Sequence, residues 1–411
     1  MCCDKVSGFD ANRGRIAFVG DIMNTSQVFP LSEFEMRLLR LQTRMSNAGL
    51  DGLLLTSEHD VRYVTGFLTR FWESPTRPWF VVVPASGKPI AVIPSIGAAL
   101  MATTWVEDIR TWSAPNPDDD GISLLAETLK EILPPHAKLG LAMGHETGLR
   151  MPLVDFMRLR NDLAPCEFQD ATKLLRETQV IKSERELELI SEICAIGGRA
   201  FDRIEEIVQV GRPLSGIYRD FQALLLSEGA DWVPYVAGGA GQDGYPDVIS
   251  PATEAPPRNG DILMLDTGAV RQGYFCDFDR NWSIGSASAE ARSAYRLLFD
   301  ATEAGFAAAV PGAPAASVFR AMQTLIDKVS SSGAGGRLGH GLGMRLTEFP
   351  SLTATDETEL QPGMVLTLEP SLEMAPGRMM VHEEDIVITD EGPRYLTRRA
   401  APELPEIGAQ S

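Results

Sequence analysis

Apolar positions first become regular at Leu31. The run SEFEMRLLRLQTRMSNAG carries them at helical spacing, opens on Ser32 as an N-cap candidate and stops at Gly49. DGLLLTS follows as a short buried strand. RPWFVVVPASGKPIAVIP predicts a hairpin turning over residues 85–88, AALMATTW a helix, and KLGLAM a further strand. This alternation predicts an α/β domain over residues 31–172, preceded by an arm, residues 1–30, that shows no sustained period.

A second pattern begins at Ser183. SERELELISEICAIGGRAFDRIEEIV is amphipathic, with Ser183 as its cap and Glu186 at capping-box spacing. Three more helices are predicted in SGIYRDFQALLLSEG, EARSAYRLLFDATEAGFAAAV and ASVFRAMQTLIDKVSSSG. Strands are predicted in DWVPYVAGG, GDILMLDTGAV, GYFCDFDRNWSI, GMVLTLEPSLEM and RMMVHEEDIVIT. Helix, strands, helix occurs twice in that order, which predicts an α+β domain over residues 176–403 with a distant internal duplication, then a tail, 404–411.

Composition narrows the class. The chain has 411 residues, and 37 Lys plus Arg against 56 Asp plus Glu leave a formal charge of −19. That excess, with no basic run, excludes nucleic acid and anionic membrane as partners. No stretch approaches the roughly 18 apolar residues of a membrane span. MCCDKVSGFDANRGR has no apolar core, so it is no secretory signal. The five cysteines, Cys2, Cys3, Cys166, Cys194 and Cys276, are odd in number and form no CxxC pair. A reducing cytoplasm is the expectation, with Cys2 and Cys3 in a loose tail.

The candidate chemistry lies in the second half. In GDILMLDTGAVRQGYFCDFDRNW two strand-like runs flank residues 271–273, which sets Asp266 opposite Asp277 or Asp279 according to the turn. In either register Asp266, Asp277 and Asp279 share one face. Facing carboxylates in a largely apolar sheet repel one another unless a cation lies between them. GMVLTLEPS ends an apolar strand on Glu369. MMVHEEDIVIT sets His382 and Glu384 on one face and Glu383 and Asp385 on the other. His340 stands between two glycines in GHGLGMRLTEFP. Four carboxylates (Asp266, Asp277, Glu369 and Glu384) and one imidazole (His340) suit two divalent ions, such as Mn²⁺, Co²⁺, Fe²⁺ or Zn²⁺. Two such ions activate a shared water and polarise a carbonyl.

These segments resemble the pita-bread metallohydrolases: aminopeptidase P, prolidase, creatinase and methionine aminopeptidase. LDTGAVRQGYFCDFDR resembles the family's two-aspartate hairpin, GHGLG its histidine segment, LTLEP its first glutamate and VHEEDIVIT its second. RLLRLQTRMSNAGLDGLLLTSEHDVRYVTGF resembles the extra N-terminal domain of the aminopeptidase P, prolidase and creatinase branch. The resemblance spans residues 31–400. It implies a creatinase-like α/β domain followed by an α+β pita-bread catalytic domain. It also implies a homodimer and hydrolysis of an amide bond in a small peptide, of the Xaa-Pro kind. By position, Asp266 would hold one ion, Asp277 and Glu384 would bridge both, and His340 and Glu369 would complete the second. Glu369 would also serve as general base, and the glycines beside His340 would let the backbone pass close to the ions.

The chain departs from that pattern at two places. Thr347 stands where family peptidases carry a second histidine, and YVAGGAGQDGYPDVISPATEAPPRNGD lacks the histidine expected upstream of the hairpin. Threonine hydrogen-bonds but carries no proton at neutral pH. His382 is the expected substitute in catalysis, while Tyr245 and Asp243 are candidates for polarising substrate. Phe71, Trp72 and Arg77 lie in TRFWESPTRPWF, which in related dimers reaches the partner's active site. Three alternatives remain. A dimethylsulfoniopropionate-type lyase of this fold carries an acidic residue where this chain has Gly268. A creatinase-like C–N hydrolase needs no metal, and a catalytically dead binding module tends to lose ligands.

Overall fold

The computed structural model describes residues 28–408, apart from 75–76, 210 and 330–335. Most of the expected N-terminal arm, with Cys2 and Cys3, lies outside the described residues. The chain divides into two compact units after Gln179.

The first unit is a six-stranded mixed sheet with helices. Its strands run in the order Asp108–Trp112, Ile90–Pro94, Phe80–Pro84, Gly52–Leu55, Lys138–Leu141, Glu167–Asp170. The expected hairpin is present, with Phe80 opposite Val92 in an antiparallel ladder. The opening helix, Leu31–Ala48, buries Phe34, Leu38, Leu41 and Met45 on one stripe and ends at Gly49 with φ 66°. Its cap is Pro30, not Ser32. Extended Pro30 already presents its carbonyl to the Glu33 amide at 3.0 Å, so the helix begins before the serine.

The second unit opens with the helix Glu184–Asp202, whose capping box between Ser183 and Glu186 is formed. Two sheets follow. One has the strand order Glu406–Ile407, Phe278–Ile284, Asp261–Thr267, Val236–Gln242. Its edge strand Glu406–Ile407 pairs in parallel with Ser283 and Ile284, so the expected tail is tied into the sheet. The other has the order Glu348–Ser351, His340–Gly341, Val365–Leu368, Glu384–Thr389, Gly392–Tyr395. Met264 from the first sheet and Leu366, Leu368, Ile386 and Ile388 from the second belong to one apolar core with the helices Ala289–Ala308 and Ala315–Ile326.

Two local features position the site. The turn of the aspartate hairpin is Gln272–Gly273, both with positive φ, and it registers Asp266 opposite Asp279. The glycines flanking His340 answer to neighbouring strands. A Cβ on Gly339 would lie 2.2 Å from the Thr367 carbonyl oxygen, and one on Gly341 2.3 Å from that of Phe349. They admit the histidine strand between its partners.

Candidate metal centre

His340 is buried, and its Nδ1–H donates to the Gly341 carbonyl at 2.9 Å. That hydrogen bond turns Nε2 toward Glu369 Oε1 at 3.0 Å and Asp277 Oδ2 at 3.3 Å. The Thr367 hydroxyl anchors the pair, accepting the His340 amide at 3.0 Å and contacting Glu369 Oε1.

Asp277 belongs to two groups of donor atoms, each lying within 4.8 Å of one another: Asp277 with His340 and Glu369, and Asp277 with Asp266 and Glu383. Asp277 is therefore the shared member. Its amide donates to Asp385 Oδ2 at 3.1 Å, and the same oxygen accepts the Cys194 thiol at 3.3 Å. The phenol of Tyr235 reaches Asp277 Oδ1 at 2.7 Å and Asp266 Oδ2 at 3.2 Å.

Electrostatics marks the cluster as short of positive charge. Burial, then Asp277 and Asp279, push the Asp266 carboxyl well above the usual carboxylate range. Burial, then Asp266 and Glu369, do the same to Glu383. Asp277 is raised by burial even though His340 pulls it down. Burial opposes a charge on His340, but Glu369 and Asp277 outweigh it and raise its pKa well above the ordinary value. Burial also pushes Glu369 up. There His340, the Thr367 hydroxyl and Arg337 prevail and hold its carboxyl below the ordinary value. Asp266 Oδ1 is buried with no hydrogen-bond partner.

An oxygen-rich set with one imidazole, a shared carboxylate and an orphaned carboxylate oxygen fits divalent cations. The first group offers two oxygens and a nitrogen, the second three oxygens.

Residues 188–391 match the metallopeptidase family M24, and residues 37–181 match the creatinase/prolidase N-terminal domain. The chain belongs to metallopeptidase family M24. It carries the family's pita-bread catalytic domain behind a creatinase-type N-terminal domain. A probable dipeptidase PepE of Mycobacterium tuberculosis is 28% identical over 372 residues, which cover 89% of this chain and 94% of that protein. An Xaa-Pro dipeptidase of Pyrococcus horikoshii is 26% identical over 261 residues, 62% of this chain and 73% of the relative. Among solved structures, dipeptidase PepE from Mycobacterium ulcerans superposes with a TM-score of 0.80 at 27% identity, covering 92% of this chain and 99% of that one. The prolidase from Thermococcus sibiricus, at 23% identity and a TM-score of 0.81, shares the fold, covering 91% of this chain and 99% of that one.

Within this M24 chain, the structure brings Asp266, Asp277, His340 and Glu369 together and corrects the fifth member. Glu384 points away: its carboxylate takes Arg280 Nη2 at 3.0 Å, the Ala400 amide at 2.8 Å and the Thr397 hydroxyl. Glu383 joins the cluster instead. In extended chain adjacent side chains point to opposite sides, so choosing the wrong one of two consecutive glutamates at this strand start chooses the wrong side.

His382, just before the strand, packs into the core instead of joining the donor groups. It is buried, its Nδ1 meets the Thr302 hydroxyl at 2.9 Å, and its ring packs edge-on against Tyr295 and Phe299. Burial, then the charge of Arg280, lowers its pKa to about 3, so it is a neutral core residue.

Tyr245 is fully buried, its hydroxyl accepting the Val381 amide at 2.6 Å and donating to Asn281 Oδ1 at 3.2 Å. Asp243 occupies a turn with φ 61°, and its carboxylate meets Arg378 at 3.6 Å and the Gln242 amide at 3.4 Å. Thr347 accepts a hydrogen bond from Arg337 Nη2 at 3.4 Å. In the first unit Trp72 is interior, its ring 6.0 Å from that of Trp79, while Phe71 is exposed with the Arg77 guanidinium 5.3 Å from its ring centre.

Sequence reasoning missed Glu383, Tyr235 and Asp385 as members of the site. The pairing of Glu383 with Asp385 on one face was readable, and that is the face the cluster uses.

Proposed function

We propose that the protein is a metal-dependent dipeptidase that hydrolyses the amide bond of small peptides, Xaa-Pro dipeptides among them. The observation that carries this reading is the meeting of two donor groups, Asp277 with His340 and Glu369 and Asp277 with Asp266 and Glu383, at their shared Asp277 inside an M24 fold. Asp277 would be shared between two ions, with His340 and Glu369 on one side and Asp266 and Glu383 on the other. Bound divalent ions supply Lewis acidity toward a carbonyl and acidify water.

The chain's own groups do the rest. Glu369 is kept ionised by His340 and Arg337, which suits it to take a proton from attacking water and return it to the departing amine. The Gly341 carbonyl and the Thr367 hydroxyl fix the orientation of His340 and Glu369.

The names of relatives support a dipeptide substrate, and Mn²⁺ is our choice of ion from the hard, oxygen-rich donor set. We further propose a cytoplasmic homodimer in which Phe71 and Arg77 contribute to the partner's substrate pocket. Among the described residues Cys166, Cys194 and Cys276 are all free thiols, which supports a reducing compartment, and no helix is long and apolar enough to cross a membrane. Gly268 disfavours the lyase alternative: a Cβ there would stand 2.4 Å from the Tyr235 ring, leaving no room for an added carboxylate.

The test is release of free proline from Gly-Pro and Ala-Pro by metal-free protein resupplied with Mn²⁺, Co²⁺ or Zn²⁺ in turn. Ion-dependent release is expected. Protein that binds an ion yet cleaves no dipeptide sinks the proposal.

A further inference from the structure

We propose that Tyr235 is a positioning residue of the metal centre, its phenol fixing the carboxylates of Asp266 and Asp277 in a space that Gly268 keeps open for its ring. The inference rests on the metal-centre reading above and adds to it a residue outside the charged set.

The backbone puts Tyr235 in place. Val236 pairs with Thr267, and Ala237 with Asp266, in an antiparallel ladder. Tyr235 lies two residues before Ala237, so its side chain emerges on the face that carries Asp266. One step along the same register it stands opposite Gly268. The contacts agree. A Cβ built on Gly268 would lie 2.4 Å from Cε1 and 3.1 Å from Cδ1 of Tyr235, and 2.7 Å from a methyl carbon of Leu346. The ring thus lies across a residue that has no side chain, with Leu346 beside it. Its backbone is tied down as well, since the Thr267 hydroxyl donates to the Tyr235 carbonyl at 3.4 Å.

The hydroxyl then lies 2.7 Å from Asp277 Oδ1 and 3.2 Å from Asp266 Oδ2. Asp277 is consequently held at three points: Oδ1 by the phenol, Oδ2 by His340 Nε2 and the amide by Asp385. A carboxylate oxygen has a second lone pair, so a neutral O–H donor can hold the group while its remaining lone pairs face an ion. A phenol suits that task because it adds no charge to compete with the cations. Asp266 keeps Oδ1 without a partner.

Partners of metal ligands ordinarily change affinity 10–100-fold when lost. Tyr235→Phe keeps the ring over Gly268 and deletes only the hydroxyl. Full-length, metal-free protein would be titrated with Mn²⁺ by calorimetry, and its Co²⁺ form read by visible absorption. Mn²⁺ binding is expected to weaken about tenfold or more. The Co²⁺ spectrum is expected to shift, while the far-UV dichroism and melting temperature of the metal-free protein stay within a few degrees of wild type. Gly268→Ala should weaken Mn²⁺ binding with the hydroxyl still present, and should add little in the Tyr235→Phe background. Wild-type Mn²⁺ affinity together with an unchanged Co²⁺ spectrum in Tyr235→Phe overturns this inference alone. Wild-type protein that binds neither ion overturns the metal-centre reading and this inference with it.

Discussion

Glu383 and Glu384 are consecutive, at the start of the strand Glu384–Thr389, yet their carboxylates go opposite ways: Glu383 to the cluster with Asp266 and Asp277, Glu384 to Arg280 at 3.0 Å. The two directions predict two different phenotypes. Glu383→Gln should lose metal, by at least the tenfold that even indirect partners of an ion command, with the fold intact. Glu384→Gln should retain metal and lose stability. Arg280 and Glu384 are both largely buried, and removing one partner of such a pair costs roughly 3 kcal/mol. Metal content and urea unfolding, measured on both variants, separate the two. Equal metal loss in both would mean that the two directions are assigned wrongly.

Much of this was legible in the chain. The amphipathic helix after Ser183 and the aspartate hairpin follow from local pattern, because capping chemistry and strand alternation are written in adjacent residues. The hairpin register resolved to the Gln272–Gly273 turn, where both residues take positive φ. The choice between Glu383 and Glu384 was not local. Alternation tells which residues share a face, but the packing of the second sheet against its neighbours decides which face holds the cluster. His382 was misread for the same reason. Tyr235 left no signal of its own, since a tyrosine at a strand end is ordinary. Its partner Gly268 gains meaning only once the register places the two opposite each other.

His382 supplies a prediction about proton transfer. With its pKa near 3 and its Nδ1 on Thr302, it stays neutral across the working pH range. His382→Gln should therefore leave the shape of the kcat/KM against pH profile unchanged, while the loss of its packing on Tyr295 and Phe299 lowers stability by about 1–3 kcal/mol. A limb of the profile that disappears in this variant would restore His382 to catalysis.

The raised carboxyls predict how acidity, ions and stability are linked. Asp266, Asp277 and Glu383 have folded pKa values above their ordinary range, and so does His340. A raised folded pKa means that the metal-free folded protein binds more protons than the unfolded chain. Its contribution to stability is present below the unfolded value and is lost as pH rises through the folded one. Glu369, whose folded pKa is lowered, works in the opposite sense. The raised groups outnumber it, so metal-free protein should melt at a falling temperature from mildly acid pH through neutrality. Ions displace those protons, so the rise in melting temperature on adding Mn²⁺ should be larger at pH 8 than at pH 6. Thermal scans with and without Mn²⁺ at both values provide the check, and a larger rise at pH 6 contradicts the assignment of these groups to an ion site.

Thr347 carries the last prediction. It occupies the segment leading away from His340, where family peptidases place a second histidine that contacts the scissile carbonyl. Its own hydroxyl is engaged only by Arg337 among the described contacts, at 3.4 Å. The next residue anchors the backbone there, since Glu348 meets Lys182 at 2.7 Å and accepts the Arg345 amide at 3.1 Å. A histidine at 347 would thus extend from a fixed path. Loss of one transition-state donor ordinarily lowers turnover by about 10²–10³, or roughly 2.7–4 kcal/mol. Wild-type protein should therefore hydrolyse generic Xaa-Pro dipeptides slowly, and Thr347→His should raise kcat on Gly-Pro by about tenfold or more, with Mn²⁺ affinity unchanged, as a fraction of that donor effect. Brisk wild-type turnover that Thr347→His leaves alone or lowers would show that another group already serves the carbonyl. The threonine would then belong to a complete peptidase site instead of marking a missing imidazole.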